Sequence, residues 1–350
     1  MKPAHAKTQM VEGHTSSIGA LFQPMMRFSS VQALRYLVRK QLRSADFSSQ
    51  WVRLADGRKV HFYDSPGNRD QPVLVVLPGA TMSAASTAAR CVPIVKGLVG
   101  RRVVVMELPH HGEHAAHPMD FTRHPWDQAS IAQDVTSFVD ALGINKPHDV
   151  LGFSFGGGVA SLYLATQPGN LRRAALLAPY LPELAHDAFA DVLRAGDWHR
   201  MHGWETRTDM QQFFERWLGM TRRNSPGRFL LNGICHHRML SYASGHFAEF
   251  FDTVARRDLG DVGLLEEHAA AMREARVPTL LVYGTHDHVC AADKMPLLAN
   301  ALGAAHCTTK AVASGHSFAE KRGRGIFYVA APSICDFLGT TQTPVQRTSR

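Results

Sequence analysis

The stretch DVLGFSFGGG at 149–158 puts a serine, Ser154, at the junction of an apolar run and a glycine-rich one. If the run is a buried strand and a helix follows, the chain must turn sharply at Ser154. Strand and helix then approach so closely that only small residues fit two positions to either side. Gly152 and Gly156 occupy those positions, and Gly157 and Gly158 extend the room. The turn lifts the hydroxyl above the sheet at a helix N-terminus, where backbone N–H groups and the helix dipole favour a developing oxyanion. A glycine-rich turn without chemistry is the plainer reading of the string alone. Its place between a strand and a helix argues for a nucleophile.

A serine hydroxyl is a poor nucleophile until a base takes its proton, and the base needs an acid to orient it. After the apolar run TLLVY at 279–283 comes GTHDHV, which sets Asp287 at the C-terminal end of a sheet strand, where catalytic groups of open α/β sheets collect. Further on, SGHSF places His316 in a Gly/Ser turn. With 20 histidines in the chain a structural role is the default for any one of them, but only His316 has this placement. Asp293 is the fallback acid; at the start of a helical stretch it reads more simply as an N-cap. His110, His111, His114 and His117 raise a zinc hypothesis, yet no Cys or Asp stands at matching spacing, and a loop beside the mouth of the site explains them more simply. His236 and His237 remain unassigned. No metal and no cofactor is expected.

These groups need a scaffold. From Trp51 the chain alternates around an Asp56–Gly57 turn, the pattern of a β-hairpin. Short, wholly apolar runs follow at Val73–Leu77, Val103–Met106, Val150–Phe153, Ala174–Leu177 and Thr279–Tyr283, the signature of parallel strands buried on both faces. Helical stretches at Ser83–Leu98, Trp126–Leu142 and Phe155–Thr166 lie between them, so the expected fold is α/β, a mostly parallel, doubly wound sheet. The alternation stops between Pro179 and about Arg276, where Phe189, Trp198, Trp204, Phe213, Trp217 and Met220 crowd a segment too long for a loop. It is expected to be a helical cap inserted after the sixth strand. The chain is thus divided into an N-terminal extension (1–50), a core (51–179 and 277–338), a cap (180–276) and a polar tail (339–350), with both ends poorly ordered.

Composition narrows the classes. Hydrophobic residues make up 45% and charged residues 19% of the 350, enough for a sizeable core. The net charge of +8 comes from dispersed cations without zinc-finger spacing or an aromatic-basic segment, so nucleic acid is not an expected partner. Five scattered cysteines with no C-x-x-C pair suit reduced thiols, and no apolar run is long enough to span a bilayer. Ile18–Phe28 is a poor signal peptide, broken by Gln23, Pro24 and Arg27, so the cytoplasm is the expected location. Val31, Leu34, Val38 and Leu42 recur at helical spacing among Arg35, Arg39, Lys40 and Arg43. This predicts a helix packed on the core or, alternatively, a peripheral membrane contact through 31–43.

From about Trp51 to Leu338 the sequence resembles the α/β-hydrolase superfamily, through the elbow at Ser154, the chain order Ser154, Asp287, His316, and ELPHHG at 107–112 in place of the family's D-x-x-G-x-G loop. The resemblance implies an oxyanion hole made by the N–H groups of Ala80, after Leu77-Pro78-Gly79, and of Phe155. The family's His-Gly at that turn is Pro78-Gly79 here, which leaves the donor in place but alters the entrance. Serine at the elbow argues against dehalogenase and epoxide hydrolase chemistry, for which the resembling families use aspartate. The expected function is a serine hydrolase that cleaves a carboxylic ester, carboxylesterase- or lipase-like, on a small and apolar acyl substrate. An acyltransferase or thioesterase would use the same triad, and a non-catalytic ligand-binding protein could use the same fold.

Overall fold

The computed structural model describes residues 32, 35–68, 70–80, 82–109, 111–116, 127–194, 263–317 and 325–339. The expectations of disordered ends, and most of the expected cap, lie outside these residues. So do His110, His117, His236 and His237.

An eight-stranded sheet organises the chain: β1 (Ser48–Arg53), β2 (Lys59–Ser65), β3 (Leu74–Leu77), β4 (Val103–Met106), β5 (His148–Phe153), β6 (Leu171–Leu177), β7 (Thr279–Gly284) and β8 (Cys307–Val312). The spatial order is β1-β2-β4-β3-β5-β6-β7-β8. The predicted hairpin β1–β2 and the β2–β4 pair are antiparallel; every pairing from β4 onward is parallel. The chain turns between β1 and β2 at Gly57, whose φ of +90° is costly for a residue with a Cβ.

The apolar runs are explained by two cores. Val75, Leu77, Val104, Met106, Val150, Leu176 and Leu281 point to one face of the sheet. Their neighbours Leu74, Val76, Val103, Val105, Leu151, Leu177, Leu280 and Val282 point to the other. With side chains alternating along each strand, a strand covered on both sides must be apolar throughout. Helices α1 (Ala84–Gly97) and α7 (Ile326–Gly339) cover the second face through residues such as Ala88, Ile94, Phe327 and Ile334. Helices α2 (Gln128–Ala141), α3 (Phe155–Thr166), α5 (Leu264–Ala275) and α6 (Met295–Leu302) cover the first. Side-chain caps from Ser83 and Asp127 start α1 and α2 close to the predicted boundaries.

Helix α5 differs from expectation. Its residues fall in the predicted cap, yet Leu265 and Met272 join the first core, and the helix lies against α3 and α6. The chain re-enters the core layer by residue 264, not at 277. The short α4 (Asp187–Arg194) follows β6, and its Phe189 packs edge-on to Tyr180 with centroids 6.4 Å apart. This aromatic residue of the predicted cap is a core contact.

At the end of the sheet opposite the candidate site, His148 is buried against Tyr163, its Nε2 3.2 Å from the phenol oxygen, while its Nδ1 has no partner among the described residues. Burial depresses its pKa from 6.5 to about 4, against a smaller opposing pull from Asp149. The unfolded chain therefore takes up a proton below 6.5 that the folded chain refuses until about 4. Stability is full above that window and falls through it as pH drops. Between pH 7 and pH 5 this residue removes about 2 kcal/mol. Urea midpoints for wild type and His148→Phe check it: the variant loses less stability over that interval, and parallel losses would contradict the assignment.

Candidate active site

Three loops at the C-terminal ends of β5, β7 and β8 bring the predicted residues together. Ser154 takes φ 52° and ψ −120°, a strained conformation for a residue with a side chain, between the end of β5 and the start of α3. The surroundings hold it there. Its N–H donates to Leu177 O at 3.0 Å, and its carbonyl accepts the N–H groups of Gly157 at 2.7 Å, Gly158 at 3.1 Å and Tyr180 at 2.8 Å. The flanking glycines are sterically required. A Cβ on Gly152 would stand 2.3 Å from Gly156 O, and one on Gly156 would stand 2.3 Å from Pro78 O.

His316 Nε2 lies 2.8 Å from Ser154 Oγ, and His316 Nδ1 lies 2.8 Å from Asp287 Oδ2. The other carboxylate oxygen of Asp287 accepts the N–H groups of Val289 at 2.8 Å and Cys290 at 2.9 Å. These bonds fix the plane of the carboxylate. Ser154, Asp287 and His316 are all buried, so the hydrogen bonds that join them are shielded from bulk water. The His316 ring also packs on Phe153, centroids 5.4 Å apart. Asp293 is exposed, in the short turn Ala292–Lys294 that leads into α6. It makes no capping bond, so neither the fallback role nor the predicted N-cap is realised; Asp287 alone faces the histidine.

The predicted oxyanion turn stands beside the serine: a Cβ on Gly79 would fall 3.2 Å from Ser154 Cβ. Among the described residues the N–H of Ala80, the next residue, donates to no acceptor. Phe155 begins α3 directly after the serine, so its N–H belongs to the first turn of that helix.

What holds this turn was not anticipated. Glu107, buried at the end of β4, accepts the N–H of Ala84 at 2.6 Å through Oε1 and faces His61 Nδ1 at 3.1 Å through Oε2. Ala84 opens α1 directly behind the 78–83 turn, so this carboxylate ties the turn to β2 and β4. Burial raises the pKa of Glu107, opposed by its bonds to His61 and to the backbone of Ala84. Gly112, at φ +47°, leaves no room for a side chain, since a Cβ would meet Glu107 Oε2 at 2.4 Å. Gln128, also buried, donates to Phe155 O at 3.2 Å and Tyr180 O at 2.8 Å and braces the elbow. The only signal of the first feature in the sequence was the ELPHHG motif; Gln128 had none.

The described histidines of the 110–117 cluster serve the backbone. His111 Nδ1 lies 2.6 Å from Pro109 O. His114 Nε2 accepts the N–H of His61 at 2.8 Å, which leaves its Nδ1–H to donate to Leu108 O at 3.2 Å. Among the described residues, Asp287, Cys290 and His316 alone bring three potential metal ligands within 4.8 Å of one another. Two of these are joined by the hydrogen bond described above, and burial holds the Cys290 thiol well above its ordinary pKa. The set is accounted for without an ion.

A mostly parallel sheet with a strained serine after β5, an acid after β7 and a histidine after β8 defines a hydrolase-type α/β architecture. The sequence profile of the alpha/beta hydrolase fold matches residues 72–321, and the chain belongs to this family. Among curated proteins it is similar to a pimeloyl-[acyl-carrier protein] methyl ester esterase of Neisseria meningitidis, 28% identical over 196 residues. That match covers 53% of this chain and 65% of the esterase, so the chain spans less than two thirds of that relative's length. Among solved structures it is similar to a membrane phospholipase A, with TM-score 0.66 and 18% identity over 93% of this chain and 96% of the other. The enol-lactonase of Burkholderia xenovorans LB400 superposes with TM-score 0.59 and 18% identity, over 83% of this chain and all of the lactonase. At these identities the two structures establish the fold. No helix among the described residues is long and apolar enough to cross a membrane.

Proposed function

We propose that this chain is a serine esterase that cleaves a carboxylic ester of an apolar acyl group through an acyl-enzyme. The observation that carries the reading is the continuous hydrogen-bonded line from Ser154 Oγ through both nitrogens of His316 to Asp287 Oδ2. With Asp287 accepting from Nδ1–H, Nε2 of the neutral imidazole is the base that accepts the serine proton. Ser154 Oγ attacks the ester carbonyl as its proton passes to Nε2. The N–H groups of Ala80 and Phe155 receive the oxyanion, and His316 returns the proton to the leaving alcohol. Water, deprotonated by the same histidine, then attacks the acyl-enzyme; the acid leaves as His316 returns that proton to Ser154 Oγ. No cofactor takes part.

The apolar acyl preference rests on the aromatic residues between 195 and 262, part of the segment 180–276 expected to form the cap. The curated relative is named for an ester carried on an acyl carrier protein, and the basic balance of this chain would suit an acidic carrier. A thioesterase or acyltransferase differs only in the bond presented or in what attacks the acyl-enzyme.

A panel of p-nitrophenyl esters and acyl thioesters of rising chain length, with and without added alcohol acceptors, tests the reading. Esterase action predicts that kcat/KM rises with acyl length on esters and that free acid remains the main product when an acceptor is present. Turnover of thioesters alone, or transfer dominating hydrolysis, would replace this reading with one of the other two. A folded protein that turns over nothing would favour a ligand-binding role.

A further inference from the structure

Residues 35–43 form a helix that, among the described residues, packs on the main body through one side. Leu42 is 6% exposed, and Val38, one turn earlier, packs against the same core. Ala45 and Phe47 continue this anchor toward β1. At 100° per residue, Tyr36, Lys40 and Arg43 share the face opposite Val38 and Leu42. Tyr36 is 65% exposed and Leu37 beside it 40%. Arg35, Arg39, Lys40 and Arg43 are exposed, the sequence has no Asp or Glu from 35 to 45, and none of the four cations has a carboxylate partner among the described residues.

We propose that this face docks the protein on an anionic lipid bilayer. Cations with no carboxylate partner among the described residues, around two exposed apolar side chains on a helix held to the body by its other side, match an interface of phosphate headgroups over acyl chains. The cations meet the headgroups, while Tyr36 and Leu37 enter the boundary beneath. A nucleic acid backbone would satisfy the same cations but leave Tyr36 and Leu37 in water. Each cation held near an anionic surface strengthens binding about fivefold, so the contact is reversible and weakens with salt. The docking does not depend on the esterase reading, because none of these residues belongs to the candidate active site.

The test is co-sedimentation of the full chain with vesicles of phosphatidylcholine alone or mixed with phosphatidylserine. Wild type is compared with Lys40→Glu/Arg43→Glu and with Tyr36→Ser/Leu37→Ser. Wild type is expected to bind the mixed vesicles in a salt-dependent way and the neutral ones weakly. Each double variant is expected to lose about tenfold or more in affinity for the mixed vesicles. All four altered side chains are exposed, and a melting temperature equal to wild type confirms that each variant is folded; Lys40→Gln/Arg43→Gln is the milder substitute should the charge reversal unfold the chain. Absence of wild-type binding, equal binding by wild type and both double variants, or tighter binding of duplex DNA through the same residues would overturn the proposal.

Discussion

Replacing Asp287 by asparagine lowers kcat on a p-nitrophenyl ester by about 10⁴-fold while leaving the melting temperature close to wild type. The reason lies in the second oxygen of the carboxylate. Oδ1 accepts two backbone N–H groups, from Val289 and Cys290. An asparagine here must keep its carbonyl oxygen on those donors, which turns its NH₂ toward His316 Nδ1. The imidazole then keeps its proton on Nε2, the atom that faces Ser154 at 2.8 Å, and cannot act as the base. Ser154→Ala removes the nucleophile itself and is expected to lose about four to six orders of magnitude in kcat. If Asp287→Asn retained more than a tenth of wild-type turnover, the line from Ser154 to Asp287 would not be the catalytic one.

The largest stability loss is expected far from that site, at Asp149. This carboxylate is fully buried at the start of β5 and accepts bonds from Arg101 at 2.5 Å and from Arg172 at 2.9 and 2.5 Å. The same two arginines reach Leu338 O near the end of α7, and Arg173 donates to Phe337 O. Asp149 thereby holds a set of cations that caps the last helix, where the final carbonyls have no partners of their own. Asp149→Ala leaves the buried Arg101 guanidinium without its counter-charge, and removal of one partner of such a pair costs about 3–5 kcal/mol. Urea denaturation of wild type, Asp149→Ala and Asp149→Asn checks it, with asparagine intermediate because it keeps the shape and one acceptor. A loss under about 1 kcal/mol for alanine, the range of an exposed ion pair, would contradict the account.

The parts of this fold that were legible in the sequence are those whose cause is local. β4 and α3 match their predicted bounds because an all-apolar strand and a glycine-opened helix carry their own signals. Ser154 and Asp287 could be chosen because each stands in a turn just after such a strand, and His316 because it sits in a Gly/Ser turn. β8 was harder: it is the edge strand, with four exposed residues between two half-buried ones, so it lacks the apolar run of the inner strands. Helix α5 was assigned to the cap because it follows the aromatic segment without a break and buries few of its residues. Only its contacts with α3 and α6 place it in the core layer. Asp293 looked like a cap because cap residues are recognised by type, whereas the capping bond itself depends on a φ/ψ that type does not fix. The clamp of Glu107 on His61 and Ala84 left only the ELPHHG motif as a trace, and that of Asp149 on Arg101 and Arg172 left none. Their partners lie 46, 23, 48 and 23 residues apart and meet only once the sheet order is set.

The most direct measurement is the intact mass of the protein after reaction with a fluorophosphonate, followed by peptide mapping of the modified residue. A nucleophilic Ser154 paired with His316 predicts a single phosphonyl adduct on the peptide that contains Ser154, absent in Ser154→Ala and strongly slowed in His316→Ala. An adduct on another residue, or labelling that persists in Ser154→Ala, would contradict the assignment of Ser154 as the nucleophile.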